Sequence, residues 1–429
     1  MSSRYYSSEQ LLERALGSIP LGSQTFSKSK TQYPLGVSPF FVEKGCGARL
    51  WDVDGNVYVD YVNGLLSVLL GYQDAEVDAA VRHQMQSGVT FSLPHRLEME
   101  VSEKLVEMIP CAEMVRFGKN GTDATSAAIR LARAYTGRDQ VAVCGYHGWQ
   151  DWYIGSTSRN LGVPAAVRAL THSFQYNNIE SLRRVFEQHP GEIAAVILEP
   201  MNLEYPQNEF LHQVKDLVAS HGALLIFDET ITGFRFARGG AQELFEVTPD
   251  LATFGKGMGN GYPISAVVGR REVMLLMEKI FYSGTFAGET LSLAATKVVL
   301  DKINETNLLF EMHSRGEMVI TGLRRIIGRL DADEIFTVSG HPAWSFLNIS
   351  DAGNCNEWQI RTLFLQEMFT RGILTLCSHN MSCAHGDAEV EQLLNAYEAV
   401  LPGLVEAIRE ERVGSLLRAE PLEPLFKVR

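Results

Sequence analysis

Two residues of opposite charge follow apolar segments of this chain and could do chemistry together. Lys256 comes after the apolar run 251–254, and the glycine-rich stretch 257–261 follows it. A lysine amine becomes a nucleophile when it is desolvated or converted to an imine, and neighbouring glycines let a ligand approach closely. A solvent-facing loop lysine would fit the same pattern. The GxGxG spacing differs from the GxGxxG of dinucleotide sites, so no nicotinamide cofactor is expected.

Asp228 is the second residue, and it ends a run, 223–227, that is too apolar to leave its carboxylate fully in water. A buried carboxylate needs a partner, and a protonated pyridine nitrogen is one that would also keep a cofactor ring electron-withdrawing. Two other readings stay open: Asp228 could cap the following turn, or it could ligate a metal with Glu229. No histidine-rich spacing accompanies the pair, so we expect no metal site.

A third group of candidates lies at the start of a predicted helix. Asn120-Gly121-Thr122-Asp123 precedes the helix-forming stretch 124–134. Free N–H groups at a helix start, together with the Thr122 hydroxyl, could hold a phosphate. An ordinary N-cap by Asn120 or Thr122 would produce the same sequence.

The last candidates are two rings that follow another apolar run, 140–144. Tyr146 could stack on a flat heteroaromatic ring or be a core tyrosine with its hydroxyl bonded, and His147 could be structural or contact a substrate. No single candidate is decisive. Together, an imine-forming lysine, a carboxylate for a pyridine nitrogen, a phosphate site and a stacking ring match pyridoxal 5′-phosphate, and the sequence predicts that cofactor.

The elements that must position these residues are short apolar runs alternating with amphipathic helical stretches, from about Val77 to Glu278. This alternation is typical of an α/β fold with a mainly parallel sheet. Ligands of such a sheet collect beyond the carboxyl ends of its strands, so the candidates are expected to meet in one site. The predicted strands are Met114–Phe117, Gln140–Cys144, Ile193–Leu198, Ala223–Phe227, Leu251–Phe254 and Ile264–Val268.

The flanking segments have a different character. The alternation in 49–62 around Asp54-Gly55 predicts a β-hairpin, and a helix is expected near Glu9–Leu16. Beyond about Asp301 we expect a long helix over Ser314–Leu330, two or three strands and further helices. These segments suit a smaller α+β domain.

Composition limits the partners and the setting. The 429 residues are 45% hydrophobic and 21% charged, as in globular proteins, and the net charge of −13 disfavours a general nucleic-acid binder. The six cysteines show no CxxC spacing, the first residues are polar and rich in Ser and Tyr rather than a basic flank followed by an apolar region, and no apolar run is long enough to cross a bilayer. We therefore expect a reduced, cytoplasmic setting with neither a membrane nor nucleic acid as a partner.

Seven motifs of the chain occur in the order and spacing of a known family: Asn120–Thr125, Arg130–Arg133, Tyr146–Gly148, Leu198–Pro200, Phe227–Arg235, Phe254–Lys256 and Gly284–Gly288. Through them the chain resembles the class III aminotransferases from about Gly36 to Glu391. The resemblance implies the fold of type I PLP transferases, with a large, mainly parallel, seven-stranded α/β domain (63–305) and a small α+β domain built from both chain ends (1–62 and 306–429). It also implies a homodimer with sites at the subunit interface.

The resemblance further implies roles for individual residues. Lys256 would hold the cofactor as a Schiff base and act as the catalytic residue, and Asp228 would pair with the pyridine nitrogen. Gly121 and Thr122 would hold the phosphate, and Tyr146 would stack on the ring.

Other contacts are implied around these. Thr285 would reach the phosphate of the neighbouring subunit's cofactor. Glu199 is also expected to bind the cofactor. The partner of the cofactor's phenolic oxygen is left open between Asn202, Glu204 and a water molecule.

Several positions depart from the family's glutamate-1-semialdehyde 2,1-aminomutases, a branch that the chain resembles. Those enzymes have an arginine for the substrate carboxylate where this chain has Ser23–Thr31, which contains none. Their glutamate upstream of the Ser-x-Ala-His motif is replaced by Cys377. Two smaller departures are Thr230, where the family often has valine, and Glu289, where it often has asparagine.

These departures shape the expected reaction. A lysine does not reproduce the bidentate grip of an arginine on a carboxylate, which favours transamination of a polar carbonyl compound. We expect an amino-acid donor, L-glutamate, and an aldehyde or keto group of a sugar acid as acceptor. This would resemble the transaminases of bacterial lipopolysaccharide pathways, such as the one that makes 8-amino-3,8-dideoxy-manno-octulosonate. The aminomutase reaction and a non-catalytic regulatory protein of this fold are the alternatives.

Overall fold

The computed structural model describes residues 4–424, and the chain divides into two compact units. One unit combines the described residues up to Asp74 with those from Phe310 onward, so both ends of the chain contribute to it. The other is the continuous segment Ala75–Leu309, which contains every residue predicted to bind the cofactor. Between residues 4 and 424, no helix is both long and apolar enough to span a membrane.

Strands and helices are numbered in chain order within the described residues. The strands β1 to β14 are Val42–Cys46, Arg49–Asp52, Val57–Asp60, Met114–Gly118, Gln140–Cys144, Thr171–Ser173, Ile193–Leu198, Leu224–Asp228, Leu251–Phe254, Ser265–Gly269, Phe336–His341, Trp344–Ile349, Ile373–Leu374 and Ser378–Asn380. The helices α1 to α16 are Tyr6–Leu16, Asn63–Leu66, Ala75–Met85, Arg96–Met108, Gly121–Thr136, Asp151–Ile154, Ala165–Arg168, Ile179–Gln188, Phe210–Ser220, Ala241–Leu244, Arg271–Met274, Thr290–Glu305, Leu308–Arg329, Glu357–Thr370, Asp387–Arg409 and Val413–Leu416.

A seven-stranded sheet forms the centre of the segment Ala75–Leu309, in the order β4-β10-β9-β8-β7-β5-β6. The strands β5 to β9 pair in parallel, and only β10 runs against its two neighbours. The predicted mainly parallel, seven-stranded α/β fold is confirmed. The six predicted strands are observed within one residue of their expected bounds. The seventh, β6, was not predicted because its three residues form no apolar run.

Helix α5 packs on this sheet through small side chains. Its residues Ala124, Ala128 and Leu131 are fully buried in a cluster that also contains Ile197 and Ile226 of the central strands. Alanines let the helix axis approach the sheet closely, because little side-chain volume separates the two. This close packing brings the first turn of α5 to the carboxyl ends of the strands.

The unit built from both chain ends contains two small sheets, with orders β1-β2-β3-β13 and β11-β12-β14. The predicted hairpin is confirmed as the antiparallel pair β2–β3, in which Arg49 lies opposite Val59. Strand β13 pairs in parallel with β3, so a late strand extends a sheet begun by the first part of the chain. The predicted long helix is α13, which begins six residues earlier than expected, at Leu308 rather than Ser314.

Candidate active site

The candidate site is a cavity of about 220 Å³ at the carboxyl ends of the parallel strands. Strands β5, β7, β8 and β9 each end at the cavity or just before a residue that lines it, and the first turn of α5 closes one side. The structure therefore brings together the predicted residues that follow separate strands. The cavity is lined by residues 120–122, Thr125, residues 146–149, Glu199, Asp228, Thr230, Ile231 and Lys256.

Asp228 is a buried carboxylate of this cavity, with 5% of its surface exposed. Its Oδ2 atom lies 2.8 Å from Nδ1 of His147, and Oδ1 accepts hydrogen bonds from the Thr230 hydroxyl at 2.6 Å and the Thr253 hydroxyl at 3.0 Å. Burial alone would raise the pKa of Asp228, but hydrogen bonds from His147 and Thr230 outweigh it and hold the pKa below the ordinary value. The carboxylate is thus kept charged.

Asp228 also caps the turn that follows it, since the Thr230 backbone N–H donates to Oδ1 at 3.1 Å. The two readings of this residue, turn cap and cavity carboxylate, are therefore both true. The Oδ1 atom accepts the hydrogen bonds from Thr230, while the Asp228 side chain also lines the cavity.

His147 is a partner of Asp228. Because a charged carboxylate only accepts, Nδ1 of His147 carries the proton and donates. The ring is 1% exposed, lies against Tyr153 at a centroid distance of 5.2 Å, and has no hydrogen-bond partner at Nε2 within the described residues. Sequence reasoning left His147 between a structural and a substrate role. Its geometry shows that one nitrogen orients Asp228.

Thr253 was missed by sequence reasoning. It lies on β9 directly beside Asp228 in the parallel pairing of β8 and β9, which is why its hydroxyl reaches Oδ1. The available signal was a threonine within the apolar run 251–254, and the structure shows that it is fully buried. Only the register between the two strands assigns that hydroxyl to Asp228.

The phosphate side of the cavity is shaped by close backbone approaches. Gly148 has a φ of +101°, and a Cβ there would lie 2.6 Å from the Cβ of Thr122, so no side chain fits. A Cβ on Gly121 would lie 3.0 Å from the Thr230 methyl. Asp123 accepts from the backbone N–H groups of Lys119 and Asn120, which fixes the start of α5. The first N–H groups of a helix lack intrahelical acceptors, so those of Gly121 and Thr122 could hold an anion here.

Glu199 fixes the loop that carries Tyr146. Its Oε2 atom accepts from the Tyr146 backbone N–H at 2.9 Å and from Nδ2 of Asn202 at 3.0 Å. The Tyr146 ring is 41% exposed and packs edge-on against Tyr153. Partial burial, followed by the negative charges of Asp228 and Glu199, raises the pKa of the Tyr146 phenol. The phenol therefore stays protonated at neutral pH.

Lys256 begins a short 3-10 turn after β9 and has a φ of +44°. A residue with a Cβ adopts this left-handed conformation only at a cost of order 1–3 kcal/mol, and such strain clusters at functional sites. Gly255 precedes it and Gly257 follows it. Lys256 is a partly buried residue of the cavity wall.

Asn202 and Glu204, the candidates for the phenolic oxygen, do not line this cavity, and three other positions singled out from the sequence also lie outside it. Thr285 is exposed in the segment that precedes α12 and does not line the cavity within the single chain. Glu289 caps α12 by accepting from the Leu291 and Ser292 N–H groups, and it pairs with Lys119 at 2.9 Å. Cys377, in the other unit, is buried, and burial raises the pKa of its thiol.

The family comparison agrees with this geometry. The model of the "Aminotransferase class-III" family matches residues 32–385. The chain belongs to the class III aminotransferases. It is a PLP-dependent enzyme of that family, and the anion site, the buried carboxylate, the unpartnered Nε2 of His147 and the space kept free by Gly148 all fit the cofactor.

Relatives within the class III aminotransferases carry several names. A protein of Desulforapulum autotrophicum named glutamate-1-semialdehyde 2,1-aminomutase is 35% identical over 93% of this chain and 99% of its own length. A 3-aminobutyryl-CoA aminotransferase of Cloacimonas acidaminovorans is 32% identical over 93% of this chain and 97% of its own. The solved PLP internal aldimine form of FumI from Sphingopyxis sp. MTA144 superimposes with a TM-score of 0.88 at 30% identity, covering 96% of this chain and 99% of that one.

Proposed function

We propose that this class III aminotransferase moves an amino group from an amino-acid donor to a carbonyl acceptor in the cavity at the strand ends. The observation that carries the proposal is a carboxylate, Asp228, that is 5% exposed and held charged in the same cavity wall as Lys256. A buried anion of this kind stabilises a protonated ring nitrogen, and a lysine amine at the cavity can carry protons.

Each contact of the cofactor has a candidate on this chain. Pyridoxal 5′-phosphate supplies an aldehyde that combines with amines and a ring that withdraws electrons. We assign Asp228 to the ring nitrogen, because its buried carboxylate lines the cavity and is held charged by its hydrogen bonds. Gly121 and Thr122 are assigned to the phosphate, because they form the first turn of α5. Tyr146 is assigned to the ring face, with Glu199 holding its backbone in place.

Lys256 has two tasks in this proposal. Its amine holds the cofactor covalently, and once released it moves the proton at the donor's α-carbon. General acid–base transfer by a positioned amine accounts for about 10²–10⁴-fold in rate. The left-handed backbone at Lys256, flanked by glycine on both sides, supports a position set by function rather than by local preference.

The assembly we propose is a homodimer. Thr285 is exposed and lies in a segment, 281–289, that contains the exposed rings of Phe281 and Phe286. Exposed apolar rings of this kind are typical of interfaces. In the dimer, Thr285 would contact the phosphate held by the neighbouring subunit.

For the acceptor we propose a polar aldehyde or ketone, with a sugar acid as the specific candidate and L-glutamate as donor. Support comes from the sequence: Ser23–Thr31 contains no arginine, and Cys377 is a thiol where the aminomutases have a carboxylate. The names of the relatives mention a semialdehyde and a CoA ester but no sugar acid. The sugar-acid candidate therefore rests on the sequence departures.

The second candidate is the glutamate-1-semialdehyde 2,1-aminomutase reaction. It is favoured by the 35% identity to the Desulforapulum autotrophicum protein of that name. This reaction moves an amino group within one molecule and needs no separate donor. The same cavity residues would serve both reactions, so only a product measurement separates them.

The test incubates the PLP-loaded protein with L-glutamate and measures 2-oxoglutarate. We expect about one equivalent without an acceptor and continuous formation with D-glyceraldehyde, a polar aldehyde, but much slower formation with butanal, its apolar counterpart. The Lys256→Ala variant should form it at least about 100-fold more slowly.

A second arm supplies glutamate-1-semialdehyde without any donor. If it is converted to its 1-amino isomer while no 2-oxoglutarate forms with either aldehyde, transamination is wrong and the aminomutase is the function. Formation of neither product by protein that carries the cofactor would favour a non-catalytic protein. Equal rates with D-glyceraldehyde and butanal would contradict the polar acceptor.

A further inference from the structure

We call the cavity of about 220 Å³ at the strand ends, in which the cofactor is proposed to bind, the cofactor cavity. A second cavity, of about 640 Å³, adjoins it and is not used by the proposed chemistry. We call it the side cavity. It is lined by the ends of β5 and β6, by residues next to α6, and by the loop 199–204. Glu199 lines both cavities, so its side chain forms part of the wall between them. The volume lies within the range of about 300–1,000 Å³ that is usual for small-molecule sites.

The lining of the side cavity has a one-sided charge. It contains the carboxylates of Glu199 and Glu204, and its described lining residues include no lysine, arginine or histidine. Three aromatic side chains complete the wall: Tyr153, Phe174 and Tyr176. Carboxylates and aromatic faces both attract cations, whereas a carboxylate or phosphate ligand would be repelled.

One polar atom in this wall lacks a partner. Nδ2 of Asn202 donates to the Glu199 carboxylate at 3.0 Å, which fixes the orientation of the amide. Its Oδ1 atom is then left buried with no hydrogen-bond partner among the described residues. A buried acceptor without a donor costs roughly 1–3 kcal/mol, and a ligand N–H group would satisfy it.

We propose that the side cavity binds a small cationic amine with an aromatic or aliphatic body. The ammonium group lies at the acidic side formed by Glu199 and Glu204 and donates to Oδ1 of Asn202, while the body packs on the aromatic side chains. This site is separate from amino transfer, and its occupant need not react. Because Glu199 also bonds the Tyr146 backbone, an occupant contacts a residue that shapes the cofactor cavity.

The probe for this site is N,N-dimethylbenzylamine. It is a tertiary amine that is protonated at neutral pH, so it offers one N–H donor but cannot form an imine with the cofactor. Phenylacetate is the control, since it has a similar body and the opposite charge. Isothermal titration calorimetry of the PLP-loaded protein should detect saturable binding of the amine and none of phenylacetate at the same concentrations.

Two variant pairs locate the binding. Glu204→Lys should weaken it at least about tenfold by reversing a charge at the cavity. Glu187→Lys, on the exposed surface of α8, changes the net charge of −13 by the same two units and should leave affinity within about twofold. Ser156→Leu, which fills the cavity without a charge change, should weaken binding at least about fivefold. Ser220→Leu in α9 is the control: like Ser156→Leu, it removes a hydroxyl that donates to a backbone carbonyl, but it lies outside the side cavity. It should not weaken amine binding.

Several outcomes would overturn the proposal. One is the absence of amine binding, and another is equal binding of phenylacetate. Equal losses in Glu204→Lys and Glu187→Lys would trace the attraction to the overall charge of the protein. Equal losses in Ser156→Leu and Ser220→Leu would show that the side cavity is not where the amine binds.

Discussion

The cofactor cavity and the buried cluster around His379 in the other unit both hold a histidine out of water, but the two rings face different partners. His147 donates to the Asp228 carboxylate and has no partner at Nε2 within the described residues. His379 bonds the Ser345 hydroxyl at 2.9 Å and the Tyr397 hydroxyl at 2.7 Å, so both of its nitrogens are satisfied. One ring lines a cavity, and the other is part of a core.

The difference between the two histidines shows that the hydrogen-bond partners of a buried polar group indicate its role. The side chains of Ser345, His379 and Tyr397 form a hydrogen-bonded series in which both ring nitrogens of His379 have partners within the protein. Such a series stabilises one conformation. Burial lowers the pKa of His379 to about 3, so the ring is neutral. Around His147 a charge and an unpartnered nitrogen remain at a cavity, and these are features that only a ligand completes.

The largest expected effect is on the charge of the cofactor cavity. Asp228→Asn keeps the shape and can still accept from His147, but it carries no charge to hold a ring nitrogen protonated. We expect kcat to fall at least about 100-fold, as when a transition-state-stabilising group is removed. Steady-state kinetics should be compared with Asp216→Asn, a matched change on the exposed surface of α9. A loss in Asp228→Asn no greater than in Asp216→Asn would contradict the assignment.

His147 acts through Asp228 and should have a smaller effect. His147→Leu removes the hydrogen bond that helps keep the pKa of Asp228 low, so that pKa rises and the acidic limb of the rate–pH profile moves to higher pH. The loss in kcat should be about tenfold, the value of one hydrogen bond of about 1.4 kcal/mol.

The conservative variant separates positioning from a merely structural role for His147. In His147→Asn the amide Nδ2 can donate where Nδ1 did, so both kcat and the acidic limb should return toward wild type. If the two variants have the same profile, the contact with Asp228 is not what His147 contributes.

His379 should affect stability rather than activity, through its neutral ring. The folded pKa is about 3 and the ordinary value is 6.5, so below pH 6.5 the unfolded chain binds a proton that the folded chain does not. The free energy of unfolding should therefore fall by about 1.3 kcal/mol from this group between pH 7 and pH 5.5. Urea unfolding of wild type and His379→Asn at both pH values measures it. An unchanged pH dependence in the variant would contradict the neutral, buried histidine.

Sequence reasoning predicted the site residues that stand at strand ends, because apolar runs mark the strands and a parallel sheet collects their carboxyl ends at one edge. Asp228 and Lys256 were found in this way. Thr253 was not, because its contact depends on the register between β8 and β9. The bond from His147 to Asp228 spans 81 positions and also required the fold.

The same limits apply to the fold. β6 was missed because Thr171–Ser173 has no apolar pattern. The pairing of β3 with β13 joins residues such as Val59 and Ile373, which no local pattern connects. The side cavity is likewise a product of packing: its walls come from four separate stretches of chain, between Val143 and Glu204.

The central claim is that Lys256 holds the cofactor covalently in the cavity with Asp228. Borohydride reduction of the PLP-loaded protein makes such a bond permanent, and peptide mass spectrometry then identifies the labelled lysine. We expect the phosphopyridoxyl group on Lys256 and none in Lys256→Ala. A label on another lysine in the wild-type protein, such as Lys119, would contradict the account.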